Sequence, residues 1–378
     1  HTQTWWPLAR PFFDYLARCS FLLQSGRDVA DVAVYYTFRT GPTSLWAAQA
    51  DDDLSKRSKA FAFDYVNDDL VQNHMKAEDG RVMLKSGASY RMLYVILTPE
   101  PTMPLETMQA ILKLAQEGAT VVWAGKKPDR CPGLTGYPEC DDAMKQAADA
   151  LWALPNFTRF ANHDYNQLVP LLEASAYPPS WKTEGDQPLR FVHRRTEDTD
   201  IFFIVNRSPN PVKTAVLFRI PGRTPQAWDP VSGTIHAVPH EPTPEGARVT
   251  VGLPGYGSTF IVFRATPGPV SRRLAYSEEV AAVDGPWKLS FPAGRGAPET
   301  IMLDALRPWT EFEEPGIKHF SGIATYTAQF ELAAAVPRHA MLDLGSVREV
   351  CEVAVNGKRA GIAWHAPYHV DVSGLLTE

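Results

Sequence analysis

The sequence predicts a multidomain chain, mixed α/β in its first half and all-β in its second. Three observations carry this. Residues 29–125 alternate near-continuous apolar runs with helical spacing, as in VADVAVYY (29–36), YRMLYVIL (90–97) and ATVVWA (119–124). Apolar strands joined by helices imply a parallel, doubly wound sheet covered on both faces. Residues 190–264 read as strand and turn throughout, from RFVHRRTEDTDIFFIVNRS to TFIVFR, the pattern of an antiparallel sandwich. Near the end, Asn356-Gly357 stands between VAV and KRA. That pair suits a two-residue type I′ hairpin, in which both central residues need positive φ.

The elements follow in order. In residues 1–26, Leu8, Phe12, Tyr15, Leu16, Cys19, Leu22 and Leu23 recur at helical spacing. Pro7 and Pro11 suit a first turn and Gly26 a stop just past the end. FAFDY (61–65) is a further strand, and Asn67-Asp68-Asp69 caps a helix running to His74. Helices are predicted over 103–116, ended by Gly118, and over 141–152, with a weaker αβ segment at 156–172. Pro178-Pro179 opens a linker to the sandwich, whose first hairpin turns at Glu197-Asp198. Pro267, Pro269 and the polar run 271–284 lead to a last β unit starting near Trp287. There Thr325, Thr327 and Gln329 alternate with Tyr326, Ala328 and Phe330. The divisions expected are 1–28, 29–178, 179–270 and 271–378.

Composition narrows the function. The chain has 378 residues, 44% hydrophobic and 21% charged, an ordinary globular balance. The net charge of −6, with no basic patch interleaved with aromatics, argues against nucleic acid. No apolar run has membrane-spanning length. Ten Trp and thirteen Tyr suit carbohydrate, whose apolar faces stack on rings, although most such residues serve as core. No GxGxxG, P-loop or nucleophile elbow with a partnered His is present. Cys131 and Cys140 flank a Pro/Gly loop and could pair in an oxidising compartment or stay separate thiols. The chain opens at His1 rather than Met and reads as an internal piece of a longer protein.

Several segments agree on one family. TWWPLARPFFDYLARCSFLLQSGRDVADVAVYY, FAFDYVNDDL, FVHRRTEDTDIFFIVNR, FRIPGRTPQAWDPVSG and YGSTFIVF stand in an order that resembles large bacterial α-L-rhamnosidases of glycoside hydrolase family 106. SGIATYTAQF, LDLG and VNGK continue it. The resemblance implies the last loop and helix of a (β/α)8 barrel in 1–28 and a flavodoxin- or amidotransferase-like α/β domain in 29–178. It implies a β-sandwich domain in 179–270 and an incomplete galactose-binding-like jelly roll in 271–378.

The family's activity is inverting hydrolysis of terminal α-L-rhamnose, here from plant or microbial glycans, by two glutamates on the barrel. Inversion needs carboxylates roughly 6.5–9.5 Å apart, held in different environments. Those glutamates are expected upstream of His1, because Glu78, Glu100, Glu106 and Glu117 fall in helix or loop contexts. No catalytic residue and no metal ligand is therefore assigned to this chain. Calcium, linked to sugar binding in the family, is expected only in the full-length protein, and the location is expected to be periplasmic or extracellular. One departure is Pro7, where Glu or another polar residue is expected after the Trp pair. The alternatives are a non-catalytic carbohydrate-binding or scaffolding module, and accessory domains of another barrel hydrolase such as a β-galactosidase.

The candidate substrate-binding residues are His1, Trp5, Trp6, Asp31 and Trp364. His1 and the Trp pair could line the barrel mouth, or the pair could pack the helix. Asp31 could face substrate, or accept backbone N–H groups. Trp364, with His365 and Tyr368, could form a sugar platform, or shape a corner with Pro367. Asp64, Asn67, Asp68 and Asp69 are oxygen-rich but lack calcium-loop spacing. Asp51-Asp52-Asp53 reads as a solvated loop and Trp228-Asp229-Pro230 as a turn. His193 to Arg195 should face Asp198 and Asp200 as cross-strand ion pairs.

Overall fold

A computed structural model describes residues 3–36, 60–97, 102–175, 178–271, 279–332 and 335–377. His1, Asp51 to Asp53 and Glu100 lie outside the described residues. After one 3-10 turn at Trp6–Leu8, helix α1 (Arg10–Leu23) opens the chain. The protein divides into two compact units, Cys19–Ser271 and His1–Arg18 with Arg272–Glu378.

The Cys19–Ser271 unit holds β1 (Arg27–Asp28), β2 (Val32–Tyr36), β3 (Phe63–Val66), β4 (Met75–Glu78), β5 (Arg81–Leu84), β6 (Ser89–Tyr90) and β7 (Met92–Leu97). Helix α2 (Leu105–Gln116), β8 (Val121–Gly125), α3 (Glu139–Trp152), β9 (Phe157–Phe160) and α4 (Tyr165–Ala174) follow. Five strands pair in parallel in the order β3-β2-β7-β8-β9. This is a doubly wound order with its switch point between β2 and β7.

Alternate residues of each strand enter opposite cores. Ala33, Tyr35, Leu93, Val95 and Trp123 pack with Met108, Ile111, Met144 and Leu151 of α2 and α3. Val32, Val34, Tyr94, Ile96 and Val122 pack with Leu168 and Leu172 of α4. Burial on both faces is why these strands read as unbroken apolar runs. Fully burying one such aliphatic side chain contributes about 1.5–3 kcal/mol.

The second half of this unit is the antiparallel sandwich. Its strands are β10 (Trp181–Thr183), β11 (Leu189–Arg195), β12 (Thr199–Asn206), β13 (Val212–Phe218), β14 (Thr224–Trp228), β15 (Ile235–Ala237), β16 (His240–Thr243), β17 (Gly246–Leu253) and β18 (Ser258–Arg264). Sheets β1-β11-β12-β18-β14-β15 and β10-β13-β17-β16 enclose Trp181, Phe202, Phe218, Val249 and Phe263.

Two features depart from the sequence reading. Arg27 and Asp28, assigned there to the first segment, form the edge strand of the sandwich opposite Arg195 and Arg194. A two-residue charged strand carries no apolar alternation, so nothing local announces it. Strands β4 to β6 form a small antiparallel sheet in a stretch read as helix and loop. Here a signal existed: Asp79-Gly80 turns β4 into β5 with φ of 50° and 73°, the hairpin chemistry already used for Asn356-Gly357.

The other unit contains β19 (Trp287–Ser290), β20 (Thr300–Leu303), a four-residue helix at Pro315–Lys318, β21 (Thr325–Thr327), β22 (Met341–Asp343), β23 (Cys351–Val355), β24 (Lys358–Ala363) and β25 (His369–Asp371). They form a three-stranded sheet, β20-β19-β21, and the pairs β22-β25 and β23-β24. Asn356 and Gly357 turn β23 into β24 with φ of 50° and 73°. Asn356 Nδ2 also donates to the Leu375 carbonyl at 2.9 Å, tying the hairpin to the chain beyond β25. One core gathers Leu289, Phe291, Leu303, Phe312 and Ile317, another Val353, Ala363 and Val370. Among the described residues no helix is long and apolar enough to cross a membrane.

Candidate functional site

Three of the five residues singled out from sequence meet in one aromatic cluster of the His1–Arg18 and Arg272–Glu378 unit. Helical spacing places Phe12 and Tyr15 of α1 on one face, and Trp364 packs against both, at 5.5 Å from each ring. Trp5 stands 6.3 Å from Phe12 and 6.4 Å from Trp6. Phe13 closes the row, 5.7 Å from Trp6 and edge-on to it. Such edge-to-face packing matches the positive ring edge to the negative ring face.

Trp364 gets its place from β24, which ends at Ala363, and from Pro367, which cannot donate to a continuing ladder. His365 packs edge-on to Trp364 at 4.5 Å and donates from Nδ1 to the Ala366 carbonyl at 2.8 Å. Trp5 Nε1 donates to Gln3 Oε1 at 3.2 Å. The row is graded in exposure: Trp5, Phe12 and Trp364 are half-buried, whereas Trp6 is 50% and Phe13 46% exposed. The outer pair therefore offers ring surface to solvent, and rings so placed can stack on the C–H face of a sugar. They cannot transfer protons.

Asp31 belongs to the other unit. Its carboxylate accepts the Ala62 N–H at 2.8 Å and pairs with Arg91 at 2.8 Å, both side chains being buried. Burial pushes the carboxyl up, against the pull of Arg91 and the Ala62 N–H. Arg91 also donates to the Pro178 carbonyl at 2.7 Å. Asp31 thus anchors the start of the parallel sheet and the linker that leaves it. The glutamates that can be described are exposed. Glu78 pairs with Lys76 at 2.6 Å, Glu106 lies in the first turn of α2, and Glu117 lies 3.9 Å from Lys113.

The side chains of the oxygen-rich stretch have partners within the fold. Asp64 accepts from Tyr90, Asp68 from Tyr35 and Thr107, Asn67 from the Leu70 N–H, and Asp69 from Asn73. Both donors to Asp68 meet the same oxygen, Oδ1. Among the described residues no group of three His, Cys, Asp or Glu stands together as a metal site.

Of two charged centres, one was read in part as the cross-strand pairing of His193 and Arg195 with Asp200, and the other went unread. Asp200, buried in the sandwich, accepts from His193 Nε2 at 2.7 Å, Arg195 Nε at 2.6 Å and Arg223 Nη1 at 2.6 Å. The Arg195–Asp200 pair follows from hairpin register. Arg223 comes from a loop and had no signal. Asp198 turns instead to the Thr196 and Thr199 hydroxyls, and Arg194 to Asp28. Burial opposes ionisation of Asp200, but His193 and Arg195 prevail and hold its carboxyl below the usual range. Burial also drives His193 toward its neutral form. At the second centre, burial and the Asp64 carboxylate raise Asp28 from 3.8 to about 6 against Arg194. Cys131 and Cys140 are joined as a disulfide with Cα atoms 6.2 Å apart.

The comparisons agree on the class of protein. A family model described as alpha-L-rhamnosidase, glycoside hydrolase family 106, matches residues 1–242. The solved rhamnosidase from Novosphingobium sp. PP1Y is 30% identical and superposes with a TM-score of 0.77, over 99% of this chain and 36% of its own. A curated relative from Formosa agariphila, assigned as a beta-glucuronidase, is 30% identical over 239 residues, 62% of this chain and 19% of that protein. The chain spans well under two thirds of either relative's length. With the family model covering more than half of its residues, the chain belongs to the alpha-L-rhamnosidase family, glycoside hydrolase family 106.

Proposed function

We propose that this chain is part of an inverting α-L-rhamnosidase that releases terminal L-rhamnose from plant or microbial glycans. The observation that carries the reading is the superposition of 99% of the chain on a rhamnosidase at 30% identity. The acid and base are assigned to a part of the enzyme outside this chain. Supporting that assignment, Asp31 is tied to Arg91, and Glu78, Glu106 and Glu117 are exposed on strand and helix ends. Residues 29–178 then serve as a flavodoxin-like α/β domain, which the β3-β2-β7-β8-β9 order supports. The last unit serves as a galactose-binding-like jelly roll.

The contribution of this chain to substrate is the Trp6–Phe13 shelf, suited to the apolar face of a deoxy sugar. A periplasmic or extracellular site of action is favoured by the Cys131–Cys140 disulfide, a bond that persists in oxidising compartments.

The test is turnover of an aryl α-L-rhamnoside by the full-length enzyme, with the anomer first released read by NMR. Inversion gives β-L-rhamnose first. The present chain alone should show no turnover above buffer, and measurable activity from it would place the catalytic pair here. A second reading, hydrolysis of a glucuronide, is favoured by the Formosa agariphila relative. An aryl β-glucuronide offered in parallel separates the two.

A further inference from the structure

The segment that ends the Cys19–Ser271 unit is strapped to β14 and β15 at two points. Buried Gln226 grips Gly268, donating to its carbonyl at 2.8 Å and accepting its N–H at 3.3 Å. Ser271 donates its N–H to the Ile235 carbonyl at 2.6 Å, and its own carbonyl lies 3.2 Å from His236 Nδ1.

His236 is also the end of a hydrogen-bonded row. Its Nε2 lies 2.8 Å from Thr234 Oγ1, which lies 2.7 Å from Ser232 Oγ, which donates to Asp229 Oδ2 at 2.7 Å. Asp229 is held in its turn by the Val231 N–H at 2.8 Å. The four contacts of the row, from Asp229 to Ser271, each need one proton. A carboxylate and a peptide carbonyl can only accept. The two hydroxyls supply two protons, so the ring must supply the other two. Only the imidazolium does that; a neutral ring brings one, and one contact must open. The contact to open is the weakest. The Ser271 carbonyl is the longest link, at 3.2 Å and to a neutral acceptor, whereas the far end is shortened by the Asp229 charge.

We propose that His236 is a proton-controlled latch: its doubly protonated ring fastens the end of the 265–271 strap to the β14–β15 turn, and its neutral ring lets Ser271 go. Among the described residues, the charged group along this row is Asp229. Across the β14 ladder the neighbour is Ala227, which is neutral. The latch is therefore closed in acid, where the ring holds two protons, and open in alkali, where it holds one.

The test is amide exchange at Ser271 in the whole chain, corrected for the intrinsic base-catalysed rate, together with the 15N shifts of the His236 ring. Losing one net hydrogen bond corresponds to as much as about tenfold faster exchange near pH 8 than near pH 5.5. His236→Gln should remove the pH step and exchange fast throughout. A Ser271 protection that stays constant with pH, a neutral ring protonated at Nδ1 with Ser271 still protected, or a step that survives in His236→Gln would each overturn the proposal.

Discussion

Strands β2 and β21 show how differently this chain uses the same backbone. Val32 to Tyr35 of β2 are buried, each residue meeting a helix-covered core on one face or the other. Thr325 to Thr327 of β21 are exposed along the whole strand. The unit with the covered parallel sheet buries Trp123, Trp181, Tyr35 and Tyr94 fully, while Phe21, Tyr137 and Tyr256 stay at its surface. The other unit leaves Trp6, Phe13, Tyr326, Phe330 and Met302 partly open. Aromatic surface committed to a core holds a fold together, and aromatic surface left outside is available to a ligand. The contrast teaches that covering both faces of a sheet buries every residue of its strands, whereas a strand left open contributes little to a core.

Core truncation should separate the two regions most strongly. Trp123→Ala removes a fully buried ring and should cost about 3–5 kcal/mol in urea unfolding. Tyr326→Ala, at a partly exposed site, should cost less than about 1 kcal/mol. Similar losses at both would erase the distinction.

Next in size is Asp200→Asn, which leaves Arg195 and Arg223 without their carboxylate and should cost about 3 kcal/mol. The same centre has a pH signature. His193 is held neutral by burial in the fold, so its contribution is complete above the ordinary imidazole range and is lost as pH falls. Acid titration of stability in wild type against His193→Gln reads this out.

Asp28→Asn should act in the opposite direction. The folded-state value of about 6 lies above the ordinary 3.8, so the wild type is most stable below that ordinary value and loses stability as pH rises through about 6. The carboxyl is partly exposed, so after allowing for solvent screening the variant should gain about 1 kcal/mol at pH 7. The gain should vanish near pH 4, and a variant that is destabilised at pH 7 would show that the Arg194 contact outweighs burial.

The smallest effect on stability belongs to Trp6→Ala, within about 0.5 kcal/mol. If its ring is a stacking surface, the full-length enzyme should show KM raised about fivefold with kcat little changed, as loss of about 1 kcal/mol of uniform binding requires. An unchanged KM would return Trp6 to a packing role.

Much of the architecture was legible. The apolar runs at 29–36, 90–97 and 119–124 became β2, β7 and β8, because burial on both faces writes itself into every residue of a strand. The Asn356-Gly357 turn was readable for a local reason, its positive φ at both positions. The Asp79-Gly80 turn carried the same message and went unread. The site was less legible. That Trp5, Trp6 and Trp364 share one cluster depends on Phe12 standing between residues some 350 positions apart in sequence. The Arg223 that completes the Asp200 centre likewise arrives from a remote loop.

By itself, then, the sequence determined what short-range physics can encode: strand and helix periods, turn chemistry, the order of α/β before all-β, and a pattern of segments distinctive enough to point to the family. Tertiary structure alone decided which side chains meet. It tied Asp31 to Arg91 inside the scaffold, set three tryptophans in one row, joined Cys131 to Cys140, and brought Ser271 to His236. The reason is physical: periodicity records which face of an element is covered, but it carries no record of what covers it.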